Sequence, residues 1–351
     1  MRQSDGEGRT GVRAAYRTSG KLADGREIIY FDDGPGHVRD GVDGRDLPAF
    51  EAGTLRRWDP LLGQEIMIAA RRQNRTFQPS SGDCPLCPTR PGHATEIPAP
   101  DYHVVSFENR FPSLGGPAGG RCEVVCFSAD HDTSLASLPP ERLATIGRAW
   151  ADRTAELSAL PGVEYVFVFE NRGLDIGATL QHPHGQIYAF PFVPPVAAAV
   201  RDNLRRHREA HGECLMCAIV AREAEGPRVI ATAGDFVAYV PEAARWPYEA
   251  HIAPRRCVAG LPDLGEEERA TLMGLYADVV GRFERLFARP PAYMACWHQS
   301  PPADPAHMYA QVFTVRRSED KLKYLASVES GAGAFINDVL PEEAAERLRS
   351  A

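Results

Sequence analysis

The residues best suited to chemistry in this 351-residue chain lie in one short run, HPHGQ at positions 182–186. On an extended chain alternate side chains point to the same side, so His182, His184 and Gln186 are predicted to share one face. A neutral imidazole can attack phosphorus, and an amide can donate to a phosphate oxygen. Gly185 lacks a Cβ atom and would let a phosphate approach the backbone. The run predicts His184 as a nucleophile and Gln186 as its phosphate-binding partner; the alternative is a histidine pair at a sheet edge with no function.

Two cysteines upstream of this run have the spacing of a metal half-site. Cys84 and Cys87 form a C-x2-C pair in a polar, turn-rich stretch. With His131 and His182 they would complete a Cys2His2 set, which is typical of tetrahedral structural zinc. Such a site would anchor His182 and so orient its neighbour His184. The alternative is that the two thiols are buried core residues.

The same arrangement recurs later in the chain, which indicates an internal repeat. A second C-x2-C pair, Cys214 and Cys217, is followed by Cys257 and His307 at nearly the spacing of the first set. A Cys3His set is an ordinary zinc site, so we hypothesise a second structural zinc here, against four unrelated core residues. Tyr309 stands where the first unit has its nucleophile, and the second copy is therefore expected to be catalytically degenerate.

Each unit reads as the same series of strands around one long amphipathic helix. The helices are predicted at about 139–159 and 265–287. The pattern predicts an α+β fold made of two tandem modules, each a half-open antiparallel sheet packed by helices. The principal strands are predicted at 123–127, 164–171, 236–240 and 292–299.

Three segments are expected along the chain. Residues 1–55, rich in Gly, Asp and Arg, read as a loose N-terminal arm in which 26–31 could form one strand. Residues 56–194 form the module that carries the HPHGQ run, and residues 195–351 form the second module. The second module begins with a predicted helical connector at 195–212 and ends with a short helix.

Composition narrows the classes of protein. Hydrophobic residues make up 44% and charged residues 25%, which is typical of a soluble globular protein. The net charge of -8 gives no support to a nucleic-acid binder. No apolar run is long enough to span a membrane, and the polar N-terminus lacks a secretion signal, so a cytoplasmic protein is expected. In that compartment the eight cysteines are expected as thiols or metal ligands and not as disulfides.

Five segments together carry a resemblance to a known family. They are CPLCP (84–88), TEIPAPDYHVVSFENRFPSL (95–114), CEVVCFSADHD (122–132), FENRG (169–173) and HPHGQIY (182–188). In this order they resemble the galactose-1-phosphate uridylyltransferases, a transferase branch of the histidine-triad superfamily. The resemblance covers nearly everything from Arg56 to the C-terminus and implies tandem histidine-triad-like modules.

The resemblance also implies roles for individual residues. His184 would carry UMP covalently, with its other ring nitrogen donating to a backbone carbonyl, and Gln186 would hold the phosphoryl oxygens. Lys323 matches a lysine that the partner subunit supplies, which implies a homodimer with shared active sites. The other substrate-binding residues implied are Arg72 and Arg75 for the sugar phosphate, Phe107, Asn109, Glu170 and Asn171 for the nucleotide, and Thr179 for phosphate.

The implied reaction is a ping-pong transfer. UDP-glucose gives UMP to His184 and releases glucose 1-phosphate, and galactose 1-phosphate then takes the UMP to give UDP-galactose. A first alternative keeps this chemistry but uses another sugar 1-phosphate or ADP-glucose. A second alternative is a nucleotide-binding zinc module without catalysis.

The sequence departs from the family in two places. Bacterial members can carry iron bound by one glutamate and three histidines. Here His298 is present, but the other three positions fall at Val200, Tyr309 and Gln311, so the iron site is expected to be absent. The position of the family's sugar-contacting tyrosine falls near Val328, which leaves the acceptor sugar open.

Overall fold

The computed structural model describes residues 16–74, 79–300 and 306–351. The strands before residue 195 are β1 (Arg17–Lys21), β2 (Glu27–Phe31), β3 (Leu55–Asp59), β4 (Gln64–Ile68), β5 (Val104–Glu108), β6 (Arg121–Cys126), β7 (Tyr165–Arg172) and β8 (His184–Phe190). Those after it are β9 (Val229–Ala233), β10 (Phe236–Tyr239), β11 (Tyr248–Pro254), β12 (Tyr293–His298), β13 (Tyr309–Thr314), β14 (Arg316–Ser318) and β15 (Lys321–Leu322). The α-helices are α1 (Pro140–Ser158), α2 (Pro195–His211), α3 (Leu215–Glu223), α4 (Glu266–Arg285), α5 (Ser327–Ala332) and α6 (Pro341–Ser350). The predicted helices and principal strands are confirmed.

Eleven of the described strands form a single antiparallel sheet, in the order β1-β2-β5-β6-β8-β7-β12-β13-β11-β10-β9. The second half of this order repeats the first, with β12, β13, β11 and β10 in the places of β7, β8, β6 and β5. The halves meet where β7 pairs with β12, from Tyr293 opposite Arg172 to Trp297 opposite Val168. The predicted fold class is confirmed, and the two half-open sheets join because each would otherwise leave an unpaired edge strand.

Two long helices cover one face of the sheet. Helix α1 lies against α4, and the ring of Trp150 in α1 lies 6.0 Å from that of Tyr276 in α4 and 5.6 Å from that of Trp297 in β12. Gly147 allows this close crossing, because a Cβ atom there would lie 2.8 Å from Cγ of Met273. The main hydrophobic core therefore lies between the helices and the sheet and is continuous across the join between the halves.

The other face is covered only at its two sides. On the first half, the loop that carries Cys84 packs Leu86, Ile97 and Tyr102 onto β5 and β6. On the second half, α2 and α3 pack apolar side chains onto β10 and β13. Between them the outward side chains of β7 and β8 are only partly covered. We call this central strip the open face; it contains Phe167, Phe169, His184, Gln186, Tyr188 and Phe190.

The prediction of a loose N-terminal arm is wrong for residues 17–31. Strand β2 pairs with β5, and β1 pairs with β2, so both belong to the main sheet. The apolar side chains of 28–31 are almost completely buried, which accounts for this order, since they cover the edge of β5. The strand predicted at 26–31 is confirmed as β2.

No helix in the described parts of the chain is both long enough and apolar enough to cross a lipid bilayer.

Candidate active site and metal centres

The HPHGQ run enters strand β8 at His184. Gly185 lies opposite Glu170 of β7, and His184 lies opposite Cys126 of β6, so the run sits in the middle of the first half-sheet. Nδ1 of His184 lies 2.7 Å from the carbonyl oxygen of His182. A carbonyl only accepts, so Nδ1 carries the proton and Nε2 keeps its lone pair. The expected carbonyl partner of this ring is thereby confirmed. Burial also lowers the pKa of His184, which keeps the imidazole neutral and able to act as a nucleophile.

Gly185 has a different role from the one the sequence suggested. A Cβ atom at this position would lie 2.9 Å from Cζ of Phe127 and 3.0 Å from the carbonyl oxygen of Phe169. Both neighbours belong to the protein, and Phe127 is part of the core between sheet and helices. Glycine is therefore required by close packing of the sheet, not by the approach of a phosphate.

The first four predicted metal ligands do come together. The ligand atoms of Cys84, Cys87, His131 and His182 all lie within 4.8 Å of one another. Sγ of Cys87 is 3.5 Å from Nδ1 of His131 and 3.5 Å from Nδ1 of His182. Desolvation and the neighbouring Cys84 raise the pKa of Cys87 to about 12, so the thiolate form requires a cation among these side chains.

Contacts behind His182 fix its ring for metal binding. Its Nε2 donates to the carbonyl oxygen of Ser128 at 2.8 Å, which leaves the Nδ1 lone pair facing the cysteines. The hydroxyl of Tyr102 also lies 2.8 Å from Nε2 and donates to the carbonyl oxygen of Leu86 at 2.8 Å. Burial lowers the pKa of His182 to about 4, so the ring is neutral, as a ligand must be.

The second predicted set is also assembled. Cys214, Cys217, Cys257 and His307 have their ligand atoms within 4.8 Å of one another. Nδ1 of His307 is 3.3 Å from Sγ of Cys217, and its Nε2 donates to the carbonyl oxygen of Pro254 at 2.9 Å. This contact repeats the one between His182 and Ser128 in the first half. Both groups have the donor atoms and spacing to hold a metal ion.

An aromatic surface continues the open face beyond Gln186. The ring of Phe169 meets that of Tyr188 edge-on at 4.9 Å and stacks with that of Phe167 at 5.4 Å. Nη1 of Arg72 lies 3.4 Å from the Tyr188 hydroxyl, which brings this predicted phosphate-binding residue beside the strand of His184 and Gln186.

Two residues at this surface were missed by the sequence analysis. The hydroxyl of Tyr188 accepts a hydrogen bond from Nη1 of Arg72 and lies 3.0 Å from the hydroxyl of Ser113. The position of Tyr188 two residues after Gln186 on a predicted strand was a signal that could have found it. Ser113 carried no comparable signal, because it reaches the strand only through the folded chain.

The predicted nucleotide-binding residues are placed unevenly. Phe107 is 3% exposed and packs in the core beneath the Cys84 loop, so its ring is not open to a ligand from the open face. Oδ1 of Asn109 accepts from the backbone N–H of Phe111 at 2.8 Å, which leaves its amide NH2 group as the available donor. Asn171 lies near the end of β7, and Thr179 lies in the loop that precedes His182. Both residues are partly exposed.

Glu170 corrects one prediction. Its side chain is 2% exposed and points to the helix-covered face. Its carboxylate accepts from the hydroxyls of Tyr276 at 2.9 Å and Tyr293 at 2.6 Å. The physical reason is the alternation of side chains along a strand, which sends Glu170 and Asn171 to opposite faces. A nucleotide on the open face can therefore meet Asn171 but not the carboxylate of Glu170.

One further predicted residue, Lys323, is not brought to this surface. Nζ of Lys323 is bonded to Oε1 of Glu329 at 2.9 Å and to the carbonyl oxygen of Ile336, and the residue is 8% exposed. Reaching a partner's site would require breaking these contacts, so that role stays a prediction. Arg75 lies outside the described residues.

The positions that the resemblance associates with iron carry other chemistry. The Tyr309 ring stacks on that of His298 at 4.5 Å, and Nε2 of His298 lies 3.2 Å from Oε1 of Gln311. The Gln311 amide donates to Oε1 of Glu249 at 2.7 Å. Val200, His298 and Tyr309 border one small cavity of about 30 Å³. These four positions supply one imidazole in place of the family's glutamate and three histidines, and the absence of the iron site stays a prediction.

Comparison with known proteins agrees with this arrangement. The family models described as galactose-1-phosphate uridyl transferase, N-terminal domain and C-terminal domain, match residues 115–194 and 201–351. A galactose-1-phosphate uridylyltransferase of Streptomyces lividans is 43% identical over an alignment of 346 residues, which covers 95% of this chain and 97% of that protein. One of Thermotoga maritima is 38% identical over an alignment of 314 residues, which covers 84% of this chain and 97% of that protein. A solved uridylyltransferase structure matches with a TM-score of 0.75 at 30% identity, covering 85% of this chain and 98% of that one. The chain therefore belongs to the galactose-1-phosphate uridylyltransferase family.

Proposed function

We propose that this protein transfers UMP from UDP-glucose to galactose 1-phosphate through a covalent uridylyl group on Nε2 of His184. The observation that carries the proposal is the His184 ring itself. Its Nδ1–H is fixed on the His182 carbonyl at 2.7 Å, and Nε2 is left with its lone pair. The names of the relatives from Streptomyces lividans and Thermotoga maritima supply galactose 1-phosphate and the uridylyl group, and the family resemblance of the sequence supplies UDP-glucose as the donor.

The two half-reactions each exchange one bond at phosphorus. In the first, the Nε2 lone pair attacks the α-phosphorus of UDP-glucose. The P–O bond to glucose 1-phosphate breaks, and that product leaves with the electron pair. In the second, a phosphate oxygen of galactose 1-phosphate attacks the same phosphorus and the P–N bond breaks, which returns His184 to its neutral form.

Neighbouring groups stabilise the charges that develop. The carbonyl of His182 accepts from the ring as it becomes positive. Gln186 donates its amide to a phosphoryl oxygen, and the Arg72 guanidinium, held by Tyr188, supplies positive charge on the same strand face. Most of the rate then comes from positioning and charge stabilisation at one phosphorus.

Zinc is the metal that best suits both cysteine-containing groups. Cys2His2 and Cys3His sets are tetrahedral zinc chemistry with four protein ligands and no open position for water. When bound, the ion in the first group supplies rigidity, because it anchors His182 and with it the carbonyl that orients His184.

Metal analysis should find two zinc ions per chain, and Cys214→Ser should reduce the count to one. A count of one that Cys214→Ser leaves unchanged would contradict the second site.

Intact mass spectrometry after mixing with UDP-glucose tests the proposal directly. The protein should gain one UMP, and galactose 1-phosphate should remove it. His184→Gly should show no adduct, whereas His298→Asn, a histidine of the second half, should still be labelled. ADP-glucose, offered in parallel, identifies the alternative donor if it labels the protein and UDP-glucose does not. Nucleotide binding without any adduct would instead indicate a binding module without catalysis.

We also infer a homodimer, on the family resemblance of Lys323. Sedimentation velocity at several concentrations measures the oligomeric state, and a monomer at all of them would remove this inference.

A reducing compartment such as the cytoplasm is supported by the cysteines, all eight of which are described and free of disulfides.

A further inference from the structure

A chain of alternating charges ties the N-terminal arm to the first metal-binding loop. Arg26 Nε is 2.7 Å from Oδ2 of Asp24, and Arg26 Nη2 is 2.5 Å from Oε2 of Glu96. Arg45 Nη1 is 2.8 Å from Oε1 of Glu96, and Arg45 Nη2 is 2.7 Å from Oδ2 of Asp43. We call these five residues the arm network. Only Glu96 comes from outside the arm, so its carboxylate is the point at which the arm network meets the loop that carries Cys84 and Cys87.

Arg26 lies at the centre of the arm network and is its most deeply buried member. Its side chain is 0% exposed, so each donor that lost its partner would carry a large desolvation cost. After Asp24 and Glu96 have taken two of its nitrogens, Nη1 donates to the carbonyl oxygen of Glu108 at 2.8 Å. With one rigid, planar group Arg26 thus links its own turn, at Asp24, to two separate segments, at Glu96 and at Glu108.

The carbonyl of Glu108 lies at the end of strand β5. We call residues 108–112, which include the predicted nucleotide-binding residue Asn109, the nucleoside-binding segment. Asn109 follows it directly, with its N–H on the carbonyl of Cys122 at 2.8 Å and its Oδ1 on the N–H of Phe111. The direction in which Asn109 presents its free amide depends on the position of this carbonyl. Arg110 adds a weaker link, with Nη1 3.6 Å from Oε1 of Glu96.

Glu96 in turn fixes the first metal-binding loop. Its backbone N–H donates at 3.0 Å to the carbonyl of Pro85, which lies between the two cysteine ligands of the loop. The arm network therefore joins the metal loop and the nucleoside-binding segment to one another through a third element. These two segments must keep a constant relation if the nucleotide is to stay aligned with His184.

The arm also borders open space beside the nucleoside-binding segment. Residues 47–51, 53–54 and 110–112 line a cavity of about 300 Å³, to which Arg71 also contributes. The Phe50 N–H donates to the carbonyl of Asp24 at 2.9 Å, so this wall is attached to the arm network. The arm network, which holds residues 108–112 in place, is thus also attached to the wall of the cavity beside them.

We propose that Arg26 and Glu96 are positioning residues for the nucleoside part of the donor, and that the arm is a working part of the nucleotide site. The inference rests on the proposed function, because the ligand of segment 108–112 is taken to be the donor's nucleoside. A purely structural network would give a different result, since its loss would lower thermal stability without changing donor affinity.

The test compares three variants in the first half-reaction. Arg26→Lys keeps one charge but cannot reach Asp24, Glu96 and the Glu108 carbonyl together, and Glu96→Gln weakens the link from the other side. Arg17→Gln is the matched control, because Arg17 is also an arm arginine but pairs with Asp152 and Glu156 of α1 at 3.1 Å and 2.9 Å. Rapid-quench mass spectrometry gives the apparent Kd for UDP-glucose and the limiting rate of UMP transfer to the protein.

Arg26→Lys and Glu96→Gln should each raise the apparent Kd for UDP-glucose by roughly tenfold, as expected for the loss of one charged hydrogen bond. The limiting rate, the zinc content and the dependence on galactose 1-phosphate should stay near those of the wild type. Arg17→Gln should lower the melting temperature and leave the Kd unchanged. Wild-type Kd values in both test variants would overturn the proposal. If one of them does not fold, Arg45→Gln, which removes the ion pairs of Arg45 with Glu96 and Asp43 but leaves Arg26 in place, replaces it in the comparison.

Calorimetric binding of UMP separates this inference from the proposed function. If the wild type never gains UMP from UDP-glucose, the transfer reaction fails, but UMP affinity can still be measured. A tenfold weaker UMP affinity in Arg26→Lys than in Arg17→Gln would then still support positioning by the arm. Equal affinities would reject it.

Discussion

The carboxyl group of Glu170 is buried in the first half-sheet. Its protonation should change the free energy of unfolding with pH. Desolvation raises its pKa from 4.5 to about 7, against the opposing effect of hydrogen bonds from Tyr293 and Tyr276. The folded state therefore binds a proton more tightly than the unfolded state. The stabilisation from this proton is complete below pH 4.5 and is lost as the pH rises through about 7.

Glu170→Gln should remove this dependence. Relative to the wild type, the variant should gain free energy of unfolding between pH 5 and pH 8, by on the order of 3 kcal/mol at most. Urea unfolding of both proteins at several pH values in that range measures the difference. Glu267→Gln, at an exposed position of α4, is the control and should show a constant difference. A constant difference for Glu170→Gln as well would show that the carboxyl is ionised throughout.

Glu170 also shows where prediction from residues reached its limit. HPHGQ, the two C-x2-C pairs and their histidine partners were identified from residue type and spacing, because metal and phosphoryl chemistry restrict both. Assigning Glu170 and Asn171 to one ligand failed, because neighbours on a strand face opposite sides. The contact of Arg26 with Glu96 joins residues far apart in the chain, and no local pattern could have indicated it.

Among the elements, strand β8 depends on the absence of a side chain at Gly185. Gly185→Ala should destabilise the protein by about 1–3 kcal/mol, because the added methyl would press on Phe127 and on the backbone of Phe169. Since β8 would have to move, UMP transfer to His184 should also slow. Unfolding curves and the adduct assay measure the two effects on the same samples.

Gly274→Ala is the matched control for this substitution. An added Cβ atom at Gly274, on the exposed side of α4, meets no atom within 4 Å. The control should stabilise the protein by about 0.5–1 kcal/mol, because alanine replaces glycine inside a helix. If Gly185→Ala were as stable and as active as the wild type, the close packing at β8 would not be a requirement.

The helices are the features of the structure that the sequence predicts best. Helix α1 was expected at 139–159 and spans Pro140–Ser158, and α2 was expected at 195–212 and spans Pro195–His211. Amphipathic spacing and proline at the first turn are local signals, and they were sufficient. The segment that forms β1 and β2 is expected from the sequence as a loose arm with one possible strand at 26–31, because a short apolar run in a Gly- and Asp-rich stretch does not indicate which strand it pairs with. The partner, β5, lies far along the chain.

In the whole molecule, the half that carries the HPHGQ run depends on the other half for the pairing of one strand edge. Strand β7, which carries Phe167 and Phe169 of the open face, is paired on one side with β8 and on the other with β12. The rings of Phe167 and His298 meet across this join at 6.1 Å. The second half therefore has a structural task in the sheet of the first half.

Cutting the chain between residues 194 and 195 tests this dependence. Alone, residues 1–194 would expose the edge of β7 together with the surface of α1 that covers α4, and residues 195–351 would expose the edge of β12. Unpaired edges beside apolar surface favour aggregation, so each piece alone should be insoluble or multimeric on size exclusion. Co-expressed, the two pieces should associate one to one, because β7–β12 pairing and the α1–α4 contact can re-form. The reassembled protein should again gain UMP on His184. Residues 1–194 that were monomeric on their own and took up UMP at the rate of the intact chain would show that the first half needs no partner for its edge.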